Sequence, residues 1–333
     1  MRLSPGKRKG LKAVSDSRGV IAALAIDQRD ALRKLFAAEM KIEKAAVPRE
    51  QLEKFKTIVV RVLSPHASAV LLEPEYGLQA AGQRAPGSGL LMAYEVSGYD
   101  PQVPGRLPRL LEQWSVRRLV DAGAQCVKVL LYYALSDAPE VLERKRIWVE
   151  RVGTECAGCD VPFLLEIVPY QDGMDEKSPE FARSKPVILI SAMQEFSKPR
   201  YGVDVLKVGV PVTMAYLQGS TACSGTFVHT HAEALTLFRT AAAAAAKPFL
   251  FLSAGVSNRA FNEALELASE AGVQFCGVLC GRATWQDGVG VFVRDGADAL
   301  QEWLETQGVQ NLKSINESLK AATPWTKNYP SDE

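Results

Sequence analysis

The chain has little of several things, and each shortage removes a class of protein. It holds three histidines, His66, His229 and His231, among 333 residues. Two of them form a His229-Thr-His231 pair at an expected helix start, short of the three protein ligands of a catalytic zinc. No apolar run approaches the roughly 18 residues that span a bilayer. The basic start Met1-Arg-Leu-Ser-Pro-Gly-Lys-Arg-Lys9 lacks the apolar centre of a signal peptide. A formal charge of +1 gives no electrostatic footprint for nucleic acid or membrane. The G-x-G-x-x-G fingerprint of a dinucleotide site is missing, as is a Pro/Gly-rich linker of domain-boundary length. Of six cysteines, Cys126, Cys276 and Cys280 lie inside apolar runs, which reads as reduced thiols in a cytoplasmic protein. Cys156-Ala-Gly-Cys159 has no second pair and reads as a helix end.

What is present is an alternation of short apolar runs with amphipathic segments. The runs cover residues 20–27, 67–73, 89–95, 126–133, 162–168, 204–210, 248–254 and 275–281. Between them lie helix-like stretches, among them 109–122, 139–153, 179–196, 231–246, 258–271 and 287–306. Eight strand-like runs separated by helices point to a parallel sheet, and the number eight favours closure into a (β/α)8 TIM barrel over an open doubly wound sheet. The Gly-rich segment 76–88 suits a long loop after the second strand. One domain, 1–333, is expected, with a short N-terminal extension to about residue 18 and a C-terminal tail from about residue 322 that packs loosely or caps the barrel. Apolar helix faces leave room for a dimer or tetramer.

Two lysines interrupt apolar strands. Lys128 stands in Cys126-Val-Lys-Val-Leu-Leu-Tyr-Tyr133 and Lys207 in Asp204-Val-Leu-Lys-Val-Gly-Val-Pro-Val212, with Glu166 embedded likewise. Burial disfavours an ammonium and lowers its pKa. A lysine that is neutral near pH 7 is a nucleophile whose natural electrophile is a carbonyl, so the pattern suggests imine chemistry. The plainer reading is a strand-end lysine that reaches water or pairs with a carboxylate. In a barrel, active groups gather at the C-terminal strand ends. Asp27-Gln28-Arg29 closes run one, Glu73 run two and Glu95 run three; Asp27 or Glu73 alone could merely cap the following segment.

Runs seven and eight lead into Leu252-Ser-Ala-Gly-Val-Ser257 and Leu279-Cys-Gly-Arg-Ala-Thr284. Small residues such as Ser253, Gly255 and Gly281 let backbone N–H groups approach an anion, and Arg282 can add a bidentate contact. Loops after strands seven and eight are the recurrent phosphate site of this architecture.

The stretches Ala22-Ala-Leu-Ala-Ile-Asp-Gln-Arg29, Ala124-Gln-Cys-Val-Lys-Val-Leu-Leu-Tyr-Tyr133, Phe163-Leu-Leu-Glu-Ile167, Asp204-Val-Leu-Lys-Val208, Leu252-Ser-Ala-Gly-Val-Ser257 and Gly277-Val-Leu-Cys-Gly-Arg-Ala-Thr-Trp285 strongly resemble the class I tagatose 1,6-bisphosphate aldolases, in order, from about residue 20 to the C-terminal Pro324-Trp325. The resemblance implies metal- and cofactor-independent cleavage of a ketohexose bisphosphate to dihydroxyacetone phosphate and glyceraldehyde 3-phosphate. It implies Lys207 as the imine lysine, Glu166 as acid/base, Asp27 and Lys128 beside them, and Ser253, Gly281 and Arg282 on a phosphate. Gln28 and Gly255 join the binding set. Arg29 is read either as a contact for the second phosphate or as an exposed ion pair at the rim. Lys128 would hold down the pKa of Lys207 and is the alternative nucleophile. One departure stands close to the chemistry: Gly209 occupies the position, two residues after Lys207, where the resemblance implies a glutamate. Fructose 1,6-bisphosphate, a sulfo-sugar phosphate and a non-catalytic phosphosugar-binding role remain as alternatives.

Overall fold

The computed structural model describes residues 2–100 and 102–330. Eight parallel strands close into a barrel in chain order: β1 (Ile21–Ala25), β2 (Ala69–Leu72), β3 (Gly89–Ala93), β4 (Cys126–Tyr133), β5 (Phe163–Pro169), β6 (Val205–Val208), β7 (Phe249–Leu252) and β8 (Gly277–Cys280). β8 pairs back onto β1, so no edge is left open. Every expected run contains one strand, and Asp27, Glu73 and Glu95 fall just past the strand ends. The last two residues of the chain's expected tail, and the one before them, lie outside the described residues.

Side-chain alternation sorts these strands into two layers. One set, including Val127, Val129, Phe163, Leu165, Leu206 and Val208, faces the ring of helices. The other points into the barrel, where Ala23, Ala69, Leu91, Ala93, Leu164 and Leu250 fill the lower part. Small and branched residues suit an interior only wide enough for side chains to interlock. On β4, β5 and β6 the same inward parity brings up Lys128, Glu166 and Lys207. The β5–β6 register sets Glu166 directly beside Lys207. A slip of one residue would turn all three into the helix layer.

The floor of the barrel is built by the two chain ends. The N-terminal extension forms a helix, Pro5–Ala13; its Leu11 and the following Val14 enter the interior cluster together with Trp325 and Tyr329. Lys7 pairs with buried Asp204 at 2.7 Å, and the Tyr329 hydroxyl donates to the Asp204 carbonyl at 2.8 Å. Of the two readings of the C-terminal stretch, capping is the observed one. The Tyr76–Ser88 loop carries a short helix, Leu78–Ala81.

Two helix expectations are corrected. The stretch 109–122 yields only Val116–Asp121, because Leu110 bridges to Glu95 and Ser115 caps the shortened helix by accepting from the Arg118 N–H. The stretch 287–306 is too short: helix Gly288–Trp303 bends at Gly296 (φ 90°) and continues through a wide turn to Val309–Ser318. Helix Pro139–Gly158 ends at Cys159, so the Cys-x-x-Cys pair marks a helix end as expected, and all six thiols are free. No helix among the described residues is long and apolar enough to cross a membrane.

One buried ion pair holds the mouth of β1. Lys56, on helix Arg49–Leu63, and Glu73 are both fully buried and 2.6 Å apart. Lys56 also donates to the carbonyls of Ile26 and Gln28, on either side of Asp27, at 2.6 and 3.0 Å. Glu73 in turn accepts from the backbone N–H groups of Glu75 and Tyr76. Lys56→Met strands a buried carboxylate and should lower stability by about 3–5 kcal/mol, whereas the double change with Glu73→Leu should recover much of that loss in urea titrations.

Candidate active site

Toward the C-terminal end of the barrel, five charged side chains form one connected cluster, Lys128, Glu166 and Lys207 from within β4, β5 and β6 and Asp27 and Glu95 from just past β1 and β3. Lys128 Nζ lies 2.8 Å from Asp27 Oδ2, 2.9 Å from Glu95 Oε1 and 2.7 Å from Glu166 Oε2. Lys207 Nζ lies 2.8 Å from the same Glu166 oxygen. Lys128 and Lys207 are 1% and 3% exposed. The convergence expected of Asp27, Lys128, Glu166 and Lys207 is what the barrel produces.

The two lysines sit in different surroundings. An ammonium has three donors, and those of Lys128 are met by three carboxylates. Burial pushes its pKa down, yet Asp27, Glu166 and Glu95 together outweigh that and hold it well above the ordinary value. The expectation that a lysine buried in this strand has a lowered pKa is therefore reversed for Lys128, because sequence alone did not supply its three anions. Lys207 meets Glu166 alone. Above it on the same face, Gly209 has open space where a Cβ would point, with nothing within 4 Å.

The carboxylates answer to the same cations. Burial raises the Asp27 carboxyl, but Lys128 and Lys207, then Arg29, bring it far below the usual range. Glu166 is raised by burial and by Asp27 and lowered more by Lys128 and Lys207, for a net decrease. Depressed folded values mean that these groups contribute stability above their unfolded pKa, about 4, and lose it only as pH falls through the lower folded values.

Glu95 belongs to this site and was not among the expected site residues, although its place at the end of run three was visible. Arg29 is buried, not exposed at the rim: it donates to the Glu95 carbonyl at 2.7 Å and bonds the Glu95 and Glu75 carboxylates at 3.2 and 2.7 Å. It orients Glu95 toward Lys128. Glu73 stands apart on Lys56. His66 precedes β2 at the opposite end of the barrel, and His231 faces Glu270 on the surface. Among the described residues no group of three or more His, Cys, Asp and Glu is placed to hold a metal ion.

The anion loops meet as well. Ala254 and Gly255 both take left-handed backbone, with φ 50° and 79°. The Arg282 guanidinium lies against Gly255 so closely that a Cβ there would come within 2.6 Å of its carbon. A Cβ at Gly281 would come within 2.6 Å of the Ala25 carbonyl oxygen and 3.0 Å of the Gln28 amide nitrogen, and the Trp285 indole N–H donates to the Ala25 carbonyl at 2.9 Å. The Gln28 carbonyl oxygen is buried without a protein partner. Ser253 contacts the Cys280 thiol, which burial pushes up to about 12. Burial also lowers the Arg282 pKa, with Glu166 and Asp27 opposing. A cavity of about 350 Å³ joins Asp27, Gln28, Glu95, Lys128, Glu166 and Arg282.

A closed (β/α)8 barrel with a lysine–glutamate pair in its mouth is the framework of a carbon–carbon lyase. The profile of the DeoC/LacD family aldolases matches residues 21–287, and the chain belongs to that family. Curated relatives agree along nearly the whole length. Tagatose 1,6-diphosphate aldolase 1 of Enterococcus faecalis is 48% identical over 320 residues, 96% of each chain. Tagatose 1,6-diphosphate aldolase of Staphylococcus aureus is 46% identical over 327 residues, 98% of this chain and 99% of that one. Among solved structures, fructose-bisphosphate aldolase from Plasmodium falciparum superposes with a TM-score of 0.67 over 100% of this chain and 98% of that one; at 13% identity this likeness concerns the fold alone.

The difference in partners makes a stability test. Lys128→Met leaves three carboxylates around an apolar side chain and should cost about 3–5 kcal/mol. Lys207→Met leaves Glu166 still paired and should cost about 1 kcal/mol. The ranking, read from chemical denaturation at pH 7, should narrow at pH 3, where protonation relieves the stranded carboxylates.

Proposed function

We propose that this aldolase is of class I and cleaves D-tagatose 1,6-bisphosphate to dihydroxyacetone phosphate and D-glyceraldehyde 3-phosphate, with Lys207 as the imine-forming residue, the whole chain acting as one barrel domain. The observation that carries the choice of lysine is donor occupancy: Lys128 is saturated by three carboxylates, whereas Lys207 has one partner and open space above it at Gly209. The near-identical spans and names of the relatives support the substrate.

In this reading the Lys207 amine adds to the C2 ketone after yielding a proton to Glu166, 2.8 Å away. Glu166 returns a proton as water leaves the carbinolamine. A base then takes the C4 hydroxyl proton, Glu166 first and Asp27 second. The C3–C4 bond breaks, its electron pair moves into the protonated imine, and the aldehyde departs. Protonation at C3 and hydrolysis release dihydroxyacetone phosphate and restore the amine. Lys128 stays charged throughout, holds Asp27 as an anion and favours the return of Glu166 to its anionic form after each proton transfer. Ser253, Gly255, Gly281 and Arg282 receive the phosphate near C1, and Gln28 offers its unpartnered carbonyl oxygen to a sugar hydroxyl. The Arg29 guanidinium, engaged by Glu75 and Glu95, acts as a positioning residue, with its Nε still unpartnered.

Borohydride reduction in the presence of dihydroxyacetone phosphate should attach one three-carbon adduct to the Lys207 peptide. An adduct on Lys128, or none, defeats the assignment. Glu166→Gln should lower kcat by about 10²–10⁴ while leaving slow trapping at Lys207 detectable. Tagatose 1,6-bisphosphate turnover should exceed that of the fructose epimer and of a sulfo-sugar phosphate.

A further inference from the structure

A second cavity adjoins the first and holds a cation that the proposed reaction does not use. It measures about 740 Å³ and runs from Gly209 and the 253–256 loop outward beneath residues 212–216 to helices Pro179–Phe196 and Asn258–Glu270. Its walls are largely apolar, formed by Phe181, Val210, Met214, Val256 and Phe261. Lys185 lines it from the first of those helices. Its Nζ donates to the Val212 carbonyl at 3.0 Å, and among the described residues no carboxylate stands within ion-pair distance of it. Burial pushes its pKa down to about 8.

An ammonium carries three donors, so two remain without a protein acceptor among the described residues, on a half-buried side chain that lines a largely apolar cavity. The other charged groups along the cavity are Arg106, Asp175, Glu176 and Lys177, two of each sign, with Arg106 already paired to Glu176. His229 lies close enough to feel Lys185, and burial lowers its own pKa. One free positive charge inside an apolar chamber of this size fits a singly charged group on a hydrocarbon stem.

We propose that this chamber binds an amphipathic carboxylate, with its headgroup on Lys185 Nζ and its chain along Phe181, Met214 and Phe261. The occupant would abut Gly209, two residues beyond Lys207, and would share Ser253 and Gly255 with the sugar phosphate, so it would compete with that phosphate at their common wall. The site goes beyond the aldolase reading and does not require Lys207 to react.

The test is calorimetric titration of the full chain with octanoate and, as the uncharged control, octan-1-ol. Octanoate should bind about tenfold more tightly than the alcohol. Lys185→Met should bring octanoate down to the alcohol's level and leave the alcohol unchanged. The octanoate preference should fade as pH rises through about 8, because a neutral amine loses its charge attraction. Ala215 is an exposed residue at the cavity's edge, and Ala215→Trp should block both ligands in a protein that melts like the parent. Equal octanoate affinity before and after Lys185→Met, binding that survives Ala215→Trp, or no binding by the parent would overturn the proposal. Octanoate binding retained in Lys207→Ala keeps this test independent of the aldolase assignment.

Discussion

A single ammonium organises the mouth of this barrel. Lys128 draws Asp27, Glu95 and Glu166 to one point, and removing it would leave three anions together in a poorly hydrated space. Each of these carboxylates ends or lies within a different strand, so the attraction also fixes β1, β3, β4 and β5 relative to one another at their upper ends. Glu166 has an oxygen shared by both lysines, which ties the lysine with three carboxylate partners to the one with a single partner. The geometry of the five groups is thus set by their mutual attraction.

Around that point the protein builds in support rather than bulk. Lys56 grips the backbone on both sides of Asp27, and Arg29 turns Glu95 inward. Lys56 lies behind the cavity and Arg29 lines it, and both set the directions of the groups around Lys128. Below, the interior is filled with apolar side chains such as Ala23, Leu91, Leu164 and Leu250, and the charges face the open end above.

Much of this was legible in the chain. The strand alternation located all eight strands, because buried parallel strands read as compact apolar runs and the intervening helices as amphipathic ones. A lysine or glutamate inside such a run is conspicuous, so Lys128, Glu166 and Lys207 were visible at once. The charge state of Lys128 was not, since it depends on Asp27 and Glu95, which are 101 and 33 residues away in sequence. Lys56 drew no notice in the sequence; only the closed barrel turns it onto Glu73. Arg29 stood open between a phosphate contact and an exposed ion pair for the same reason. Lys185, in a helix of ordinary pattern, gave no signal, because its chamber exists only where three loops and two helices meet. Local sequence reports periodicity well and reports enclosure poorly.

The barrel floor joins the helix of residues 5–13 to Trp325 and Tyr329 beneath β6, where Asp204 is held from both sides. These contacts lie some 200 and 125 residues apart along the chain. During translation the residues that seal this layer emerge from the ribosome after all eight strands have been made. The strand that carries Lys207 therefore stays open from below until Trp325 and Tyr329 have followed it out.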